Sequence, residues 1–367
     1  MTVEFDPKIP VESAWSPPSR WYTDPAFEAL ERQHVFPNTW QLAGRVTQLA
    51  NPGDYVSGCF AGEPFAVTRD RDGALHAFDN VCRHRAAPVA LGHGHAEHLT
   101  CAYHGWTYHL DGRLRTAPEI GGIRDFDRST MALPRRDVEV WGPYVMIRQA
   151  TGGASVAHQT APLTRLLEAT DWSRLRFHDR KIWKIGCNWK VFCDNYLDGG
   201  YHIANLHPAL DAQLDMDSYR TVLHERCSVQ TSAPTTATDV DLDVDPSRRI
   251  GAGALYGFVY PNLMINRYGP ALDINYVRPL GVDQCEVIFD FFFEDGVDDD
   301  FIRRSRQTAD TTQQEDVWIC ERVQQGLSSG RYERGRYAPR LEHGVHHFHR
   351  LLAADLAAHG RDLTRDR

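Results

Sequence analysis

The sequence lacks a long apolar run, a block of basic residues and a tract of low complexity. Its most apolar stretches, 250–266 and 287–293, are interrupted by glycine, proline and asparagine or bounded by acidic residues, so neither predicts a membrane span. Asp and Glu number 49 against 40 Lys and Arg, which gives a net charge of −9. Nucleic-acid affinity depends mostly on basic side chains that contact phosphates. We therefore expect neither a nucleic acid nor a membrane as a partner.

The sequence also lacks a signal for export. Residues 1–18 carry acidic residues and prolines, without a basic stretch followed by an apolar one. The 8 cysteines are spread over 367 residues. In a long chain without an export signal, such cysteines are more often reduced thiols or metal ligands than a disulfide framework. These features predict a cytoplasmic location.

The pattern of turns and apolar residues predicts two domains after a helical start, in line with about 100 to 200 residues per domain. Apolar residues at helical spacing follow Asp24-Pro25 and predict a capped helix within an N-terminal helical segment, residues 1–37. Short apolar runs separated by turn pairs such as Asp72-Gly73 predict a small all-β domain over residues 38–150. A block of strand-like segments between helical patterns then predicts an α+β domain over residues 151–367.

The strongest local pattern pairs a cysteine with a histidine twice. Cys82 and His84 are two residues apart, and Cys101 and His104 are three apart. Two thiolates and two imidazoles suit either a tetrahedral zinc ion or a [2Fe–2S] cluster in which two histidines replace two cysteines on one iron. The first gap is short for a zinc finger, and the repeated order gives each iron of a cluster one ligand from each loop. The pattern favours the cluster, with structural zinc as the alternative.

A second dense pattern contains two histidines near a pair of glycines. His202 and His207 lie five residues apart, and Gly199-Gly200 would let a helix distort so that both histidines face one point. Such a pair can occur by chance, but a one-electron cluster needs an acceptor for its electrons. Two histidines and one carboxylate on one face of an iron ion leave positions open for O₂ and substrate. The candidate carboxylates on the long predicted helix 299–327 are Glu315, Asp316 and Glu321.

These segments resemble the catalytic α subunit of the Rieske non-haem iron oxygenases, from about Pro37 onward. Cys82-Arg83-His84-Arg85 and Cys101-Ala102-Tyr103-His104-Gly105-Trp106 are similar to the two cluster-binding loops of Rieske domains. The run from Asp194 to His202, and Glu315-Asp316 with the following 321–327, are similar to the choline monooxygenase-like branch, which acts on quaternary ammonium compounds. The resemblance implies an all-β Rieske domain followed by an α+β catalytic domain with an antiparallel sheet and helices, of the helix-grip (START-like) type.

The resemblance also implies the metal ligands and the cofactors. Cys82 and Cys101 would bind one iron of the [2Fe–2S] Rieske cluster, and His84 and His104 would bind the other. The ligands of a mononuclear Fe(II) would be His202, His207 and Asp316. O₂ would be a co-substrate, and electrons would come from NAD(P)H through a separate flavin and iron–sulfur reductase.

One further carboxylate and an assembly are implied. Asp198 would take the role of the acid that links a cluster histidine of one subunit to an iron-ligand histidine of the next. It lies four residues before His202, whereas many family members have this acid three residues before the histidine, so Asp194 is an alternative. This electron path between subunits implies a ring-shaped homotrimer.

The predicted function is therefore the oxygenase component of a monooxygenase that hydroxylates or N-demethylates a small quaternary ammonium compound of the choline, betaine or carnitine type. The alternatives are an aromatic ring-hydroxylating dioxygenase, a Rieske electron carrier and a zinc-stabilised binding protein. A carrier would leave about 220 residues beyond the β domain without a purpose. Aromatic residues such as Tyr256, Tyr268 and Tyr276 either cage a cation or only pack a core. The histidines of 343–349 are expected on a solvated or interface face.

Overall fold

The computed structural model describes residues 5–169, 171–234 and 253–359. The chain forms two compact units, one of Phe36–His158 and the other of Met1–Val35 together with Gln159–Arg367. The N-terminal segment, which the sequence pattern treats as a piece of its own, thus belongs to the same unit as the C-terminal part. Within the described ranges, no helix combines the length and the apolar character that crossing a membrane requires.

The unit Phe36–His158 consists of short antiparallel strands. They are β1 (Gln41–Arg45), β2 (Asp54–Phe60), β3 (Glu63–Arg69), β4 (Leu75–Asp79), β5 (His93–His95), β6 (Leu99–Thr100), β7 (Thr107–Tyr108), β8 (Leu114–Thr116), β9 (Arg135–Trp141) and β10 (Tyr144–Arg148). One sheet has the order β1-β10-β9-β4-β3-β2-β5, and β6, β7 and β8 form another. The Cys-His segments occupy the β4–β5 and β6–β7 connections. Phe78, Trp106 and Tyr108 pack with both cysteines in the core of this unit.

The other unit is an antiparallel sheet with helices, which confirms the predicted α+β class. Its strands are β11 (Leu175–Ile185), β12 (Arg220–Leu223), β13 (Cys227–Ser232), β14 (Ala254–Val259), β15 (Leu263–Tyr268), β16 (Ala271–Gly281) and β17 (Gln284–Glu294), in the order β11-β17-β16-β15-β14-β13-β12. The helices among the described residues are α1 (Arg20–Thr23), α2 (Pro25–His34), α3 (Val156–Glu168), α4 (Trp189–Leu197), α5 (Ile203–Leu206), α6 (Pro208–Asp211), α7 (Asp299–Ser328) and α8 (His343–His359).

Side-chain caps start the two helices that matter most for the site. The Asn188 side chain accepts a hydrogen bond from the Lys190 amide at the start of α4, at 3.1 Å. The Asp298 carboxylate accepts one from the Phe301 amide at the start of α7, at 2.7 Å. Such caps satisfy amides that lack a partner in the first helical turn. The helix predicted to begin near Asp299 is thereby confirmed.

A buried ion pair ties the N-terminal helix α2 to α4. Lys190 Nζ lies 2.5 Å from Glu31 Oε1, and both side chains have 0% exposure. The indole of Trp189 donates to the other oxygen of Glu31 at 2.9 Å. Burial raises the pKa of Glu31 and lowers that of Lys190, while each charge stabilises the other. Removing one partner of such a pair typically costs about 3–5 kcal/mol, so α2 is an integral part of this unit.

Candidate metal centres and active-site cavity

The two Cys-His segments form loops with the same turn. The carbonyl of Cys82 accepts a hydrogen bond from the Ala86 amide at 2.9 Å, and the carbonyl of Cys101 accepts one from the Gly105 amide at 3.0 Å. Both residues that close these turns have positive φ, 60° at Ala86 and 71° at Gly105. Glycine adopts this backbone readily, whereas an alanine there is strained and must be held by its surroundings. Each turn supplies one cysteine and one histidine.

Burial separates the cysteines from the histidines of these loops. Cys82 and Cys101 are 3% and 2% exposed, whereas His84 and His104 are exposed, with ring centroids 4.6 Å apart. Among the described residues, no three ligating atoms of these four side chains lie within 4.8 Å of one another, as a single zinc ion would require. Two buried sulfurs and two exposed imidazoles therefore fit a dinuclear cluster with one iron nearer the surface.

Neighbouring aromatic residues support these loops. Tyr108 Oη accepts a hydrogen bond from the Arg83 amide at 2.9 Å and lies 3.3 Å from Cys82 Sγ, so its own hydrogen is available to the sulfur. Burial raises the pKa of Tyr108, which keeps that hydrogen in place. The ring of Trp106 stacks on His84 at 5.0 Å. Hydrogen bonds to cysteine sulfur are among the factors that set the potential of such a cluster.

The second candidate centre joins residues from two helical regions. Ligating atoms of His202, His207 and Asp316 all lie within 4.8 Å of one another. Nε2 of His207 is 3.1 Å from Asp316 Oδ1, and Nε2 of His202 is 4.0 Å from the same oxygen. The Nδ1 atom of His202 is 2.7 Å from Asp198 Oδ2, and that of His207 is 2.6 Å from Glu315 Oε2. With Nδ1–H donated to a carboxylate, each Nε2 lone pair faces the common point, as in carboxylate–histidine–metal arrangements.

The charges around His207 agree with a cation site. Burial lowers the pKa of His207, but the hydrogen bonds and charges of Asp316 and Glu315 raise it more, so its pKa is raised overall. His207 and Asp316 would hold a metal cation, which would compete with that proton for the imidazole. Three donors of this kind, two neutral imidazoles and a carboxylate, are the set that non-haem iron prefers.

Two glycines and a break between short helices bring the histidines together. Gly199 and Gly200 have φ of 73° and 79° at the end of α4, and a Cβ on Gly199 would collide with the backbone of Leu341. His207 lies between α5 and α6 with φ −122° and ψ 67°. The distortion predicted around the two histidines is therefore a sharp turn followed by a break between one-turn helices.

The structure distinguishes the alternative acids by position. Glu315 contacts Nδ1 of His207 rather than the common point, and Glu321 accepts a hydrogen bond from the Gly186 amide at 3.2 Å. Asp194 contacts Tyr22 and His349 instead of His202. The Asn195 side chain, to which the sequence pattern assigns no role, donates to Asp316 Oδ1 at 2.7 Å. The only feature of the sequence that could have indicated this role is the position of Asn195 in the run from Asp194 to His202, one helical turn before Asp198.

An acidic cleft, which we define by Asp194, Asp198 and Glu342, adjoins this centre. Tyr22 Oη donates to Asp194 at 2.7 Å, and His349 Nε2 lies 3.0 Å from the same carboxylate. Of the α8 histidines expected on a solvated or interface face, the expectation of solvent exposure was wrong for His346, which is 6% exposed, and for His349, which is 1% exposed. The ring of His349 is buried because tyrosine and aspartate side chains satisfy both of its nitrogens.

A cavity lined by aromatic and polar side chains opens at the three candidate ligands. Its lining includes residues of helix α4, helix α7 and the sheet. One row of directly paired residues crosses four strands of the sheet and consists of Gln230, Tyr256, Asn266 and Asp273. Tyr256 contacts three other tyrosines of the lining, namely Tyr196, Tyr219 and Tyr268. Of the aromatic residues considered for a cage, Tyr276 does not line this cavity.

Comparisons with known proteins agree with this arrangement. The Rieske [2Fe-2S] domain family matches residues 39–127, and the ring hydroxylating alpha subunit (catalytic domain) family matches residues 169–358. The chloroplastic choline monooxygenase of Arabidopsis thaliana is 43% identical, over 97% of this chain and 86% of that protein. The carnitine monooxygenase oxygenase subunit of Escherichia coli is 31% identical, over 93% of this chain and 94% of that protein.

Solved structures share the fold. The quaternary ammonium Rieske monooxygenase CntA in complex with L-carnitine superimposes with a TM-score of 0.80 at 25% identity, covering 97% of this chain and 99% of that one. Naphthalene 1,2-dioxygenase from a Rhodococcus species has a TM-score of 0.78 at 20% identity, over 95% and 96% of the two chains, and shares the fold. The matched catalytic domain excludes an electron carrier or a zinc-stabilised binding protein. The chain belongs to the Rieske non-haem iron oxygenases, as an oxygenase component with a Rieske cluster and a mononuclear iron that works with a separate reductase.

Proposed function

We propose that this oxygenase hydroxylates or N-demethylates a small quaternary ammonium compound of the choline, betaine or carnitine type. The observation that carries the proposal is the tyrosine-lined cavity, with the buried carboxyl group of Asp273, next to His202, His207 and Asp316. Faces of tyrosine rings and a carboxylate both attract a trimethylammonium group. The relatives named for choline and carnitine support the same substrate class.

The overall reaction consumes O₂, two electrons and two protons. One C–H bond of the substrate becomes C–OH, and the second oxygen atom leaves as water. Hydroxylation at the carbon that bears an alcohol gives an aldehyde hydrate, whereas hydroxylation of an N-methyl group gives a hemiaminal that releases formaldehyde. The aromatic dioxygenase alternative has only the shared fold in its support.

The ligand assignments are part of the proposal. Cys82 and Cys101 hold one iron of the cluster, and His84 and His104 hold the other, as the burial of the sulfurs and the exposure of the imidazoles support. His202, His207 and Asp316 hold the mononuclear iron, which supplies O₂ activation when bound. Glu315 orients His207 through its Nδ1–H group, and Asn195 holds the Asp316 carboxylate in place.

Asp198 is the proposed bridge between the two kinds of metal centre. One of its oxygens accepts from both the backbone and the ring of His202, at 3.0 and 2.7 Å, and the other accepts from the amides of Gly200 and Tyr201. Four hydrogen bonds fix the carboxylate beside the iron-ligand histidine. Its place in the acidic cleft leaves it next to a surface that a second subunit can approach.

We further propose a homotrimer in which the cluster loops of one subunit meet the acidic cleft of the next. Arg83, Arg85 and Tyr103 are exposed beside the two cluster histidines. Positive charge on these loops complements the carboxylates of the cleft. Complementary charges of this kind guide two surfaces into one docking orientation. The cytoplasmic location is also proposed here, because all eight cysteines lie in the described part of the chain and none of them forms a disulfide there.

Metal and sulfide analysis tests the cofactor assignment. Protein produced with ample iron should contain about three iron ions and about two acid-labile sulfides per chain, with the absorption and electron paramagnetic resonance spectra of a Rieske cluster. The variant Cys101→Ser should lose the sulfide and the spectrum, because a cluster ligand is missing, while Cys59→Ser, an exposed cysteine elsewhere in the β domain, should keep both. Zinc in place of iron, or a spectrum unchanged in Cys101→Ser, would contradict the assignment.

A further inference from the structure

Three buried polar atoms belong to residues that line the cavity and have no hydrogen-bond partner among the described residues. They are Gln230 Oε1, Asn275 Oδ1 and Gln313 Nε2. Their side chains are 1%, 4% and 2% exposed. A buried polar group without a partner typically costs about 1–3 kcal/mol, so such groups usually meet water or a ligand. Together they offer a ligand two acceptors and one donor.

The orientation of Gln230 is set by a bond on its other side. Its Nε2 donates to the backbone carbonyl of Tyr196 at 2.9 Å. The bond to Nε2 therefore leaves Oε1 as the unbonded atom of this amide, and an amide oxygen can only accept a hydrogen bond. The Tyr196 hydroxyl in turn donates to Asn266 Oδ1 at 2.9 Å, so Tyr196 links Gln230 on β13 to Asn266 on β15, two strands away in the same row.

Apart from the metal-ligand histidines, all the charged side chains that line the cavity are acidic. Asp273 and Asp316 are its acidic residues, and no lysine or arginine occurs among the described residues that line it. Arg267, on the neighbouring strand β15, is paired with Glu294 at 2.5 Å and is not part of the lining. A substrate carboxylate in this cavity would lose water without gaining a cation from these residues, which is costly.

From these observations, and resting on the proposed function, we infer that Gln230 and Asp273 are specificity-determining residues that select an ammonium alcohol over an ammonium carboxylate. An alcohol both donates and accepts, so it satisfies the acceptor of Gln230 and the donor of Gln313. A carboxylate only accepts, so it leaves Gln230 Oε1 without a partner and faces Asp273 with the same charge. Asp273 attracts the ammonium group together with the faces of the tyrosine rings that line the cavity.

Equilibrium binding to the iron-loaded enzyme tests each contribution with a matched pair of ligands. Choline and 3,3-dimethyl-1-butanol differ in charge, choline and propyltrimethylammonium differ in the hydroxyl group, and choline and glycine betaine differ in the carboxylate. We expect the wild-type enzyme to bind choline at least about tenfold more tightly than each of the other three. Asp273→Asn should lower the affinity for choline at least about tenfold but leave the affinity for dimethylbutanol unchanged. Asp273→Glu should restore most of the lost affinity for choline.

Gln230→Met should remove the preference for choline over propyltrimethylammonium, because it removes the acceptor while keeping side-chain length. If Gln230 had only a structural role, the variant would lose affinity for both ligands equally. That outcome would overturn the assignment of Gln230. Asp295→Asn, an exposed acid at the end of the sheet, is the matched control. Equal binding of glycine betaine and choline by the wild type would overturn the inference while leaving the proposed function intact. If no ammonium compound were oxidised at all, the proposed function itself would fail.

Discussion

Replacing His202 with alanine is expected to lower product formation at least about a thousandfold while leaving the Rieske spectrum unchanged. The imidazole supplies one of three ligating atoms within 4.8 Å of one another, and two remaining ligands hold iron far less well. The cluster ligands belong to the other compact unit of the chain, so their chromophore does not depend on this side chain. Absorption spectra, iron content and product analysis of the same sample measure both effects.

Two controls sharpen this result. His158→Ala, at an exposed histidine, should retain both iron and activity. If His202→Ala and Cys101→Ser subunits are mixed in the proposed homotrimer, part of the activity should return, because an intact cluster of one subunit would then meet an intact iron site of the next. Normal turnover by His202→Ala would show that the mononuclear site lies elsewhere. Mixtures as inactive as their components would contradict transfer between subunits.

Replacing Asp198 with asparagine is expected to slow product formation about a hundredfold with both metal centres loaded. Asparagine keeps the size of the side chain but replaces one oxygen of a carboxylate that accepts four hydrogen bonds around His202. Mutating such a partner of a ligand histidine typically costs 10–100-fold in affinity or activity. The rate at which the reduced cluster is reoxidised by O₂ with substrate present should fall by the same factor.

The matched control is Asp217→Asn, at an exposed acid on the same stretch of chain. It should leave the reoxidation rate unchanged. An Asp198→Asn enzyme with normal reoxidation would exclude Asp198 as the bridge. In that case Asp194→Asn would be the next variant to measure, although Asp194 is engaged by Tyr22 and His349.

Local patterns carried most of what the sequence could predict. The two Cys-His loops are short, and their ligand spacing depends only on the turns within them. The start of α7 was predictable because its cap and acidic first turn are adjacent in the sequence. The choice of Asp316 over Glu315 came from the family resemblance, since periodicity places both acids on the same turn of a helix.

Long-range packing set the limit of prediction. The ion pair of Glu31 with Lys190 joins residues far apart in the sequence, and neither position has a pattern that indicates its partner. The burial of His349 depends on Tyr22, at the opposite end of the chain. The row of Gln230, Asn266 and Asp273 appears only after the strands pair, because adjacent members come from different strands.

Product analysis after a single reduction tests the central claim most directly. The iron-loaded enzyme is reduced with dithionite without oxygen, freed of excess reductant, and then exposed to O₂ with choline, glycine betaine, carnitine or an aromatic acid. We predict that the cluster is reoxidised and that mass spectrometry finds an aldehyde or a demethylated amine from an ammonium compound, with none from His202→Ala. An oxidised aromatic acid with every ammonium compound unchanged would contradict the account.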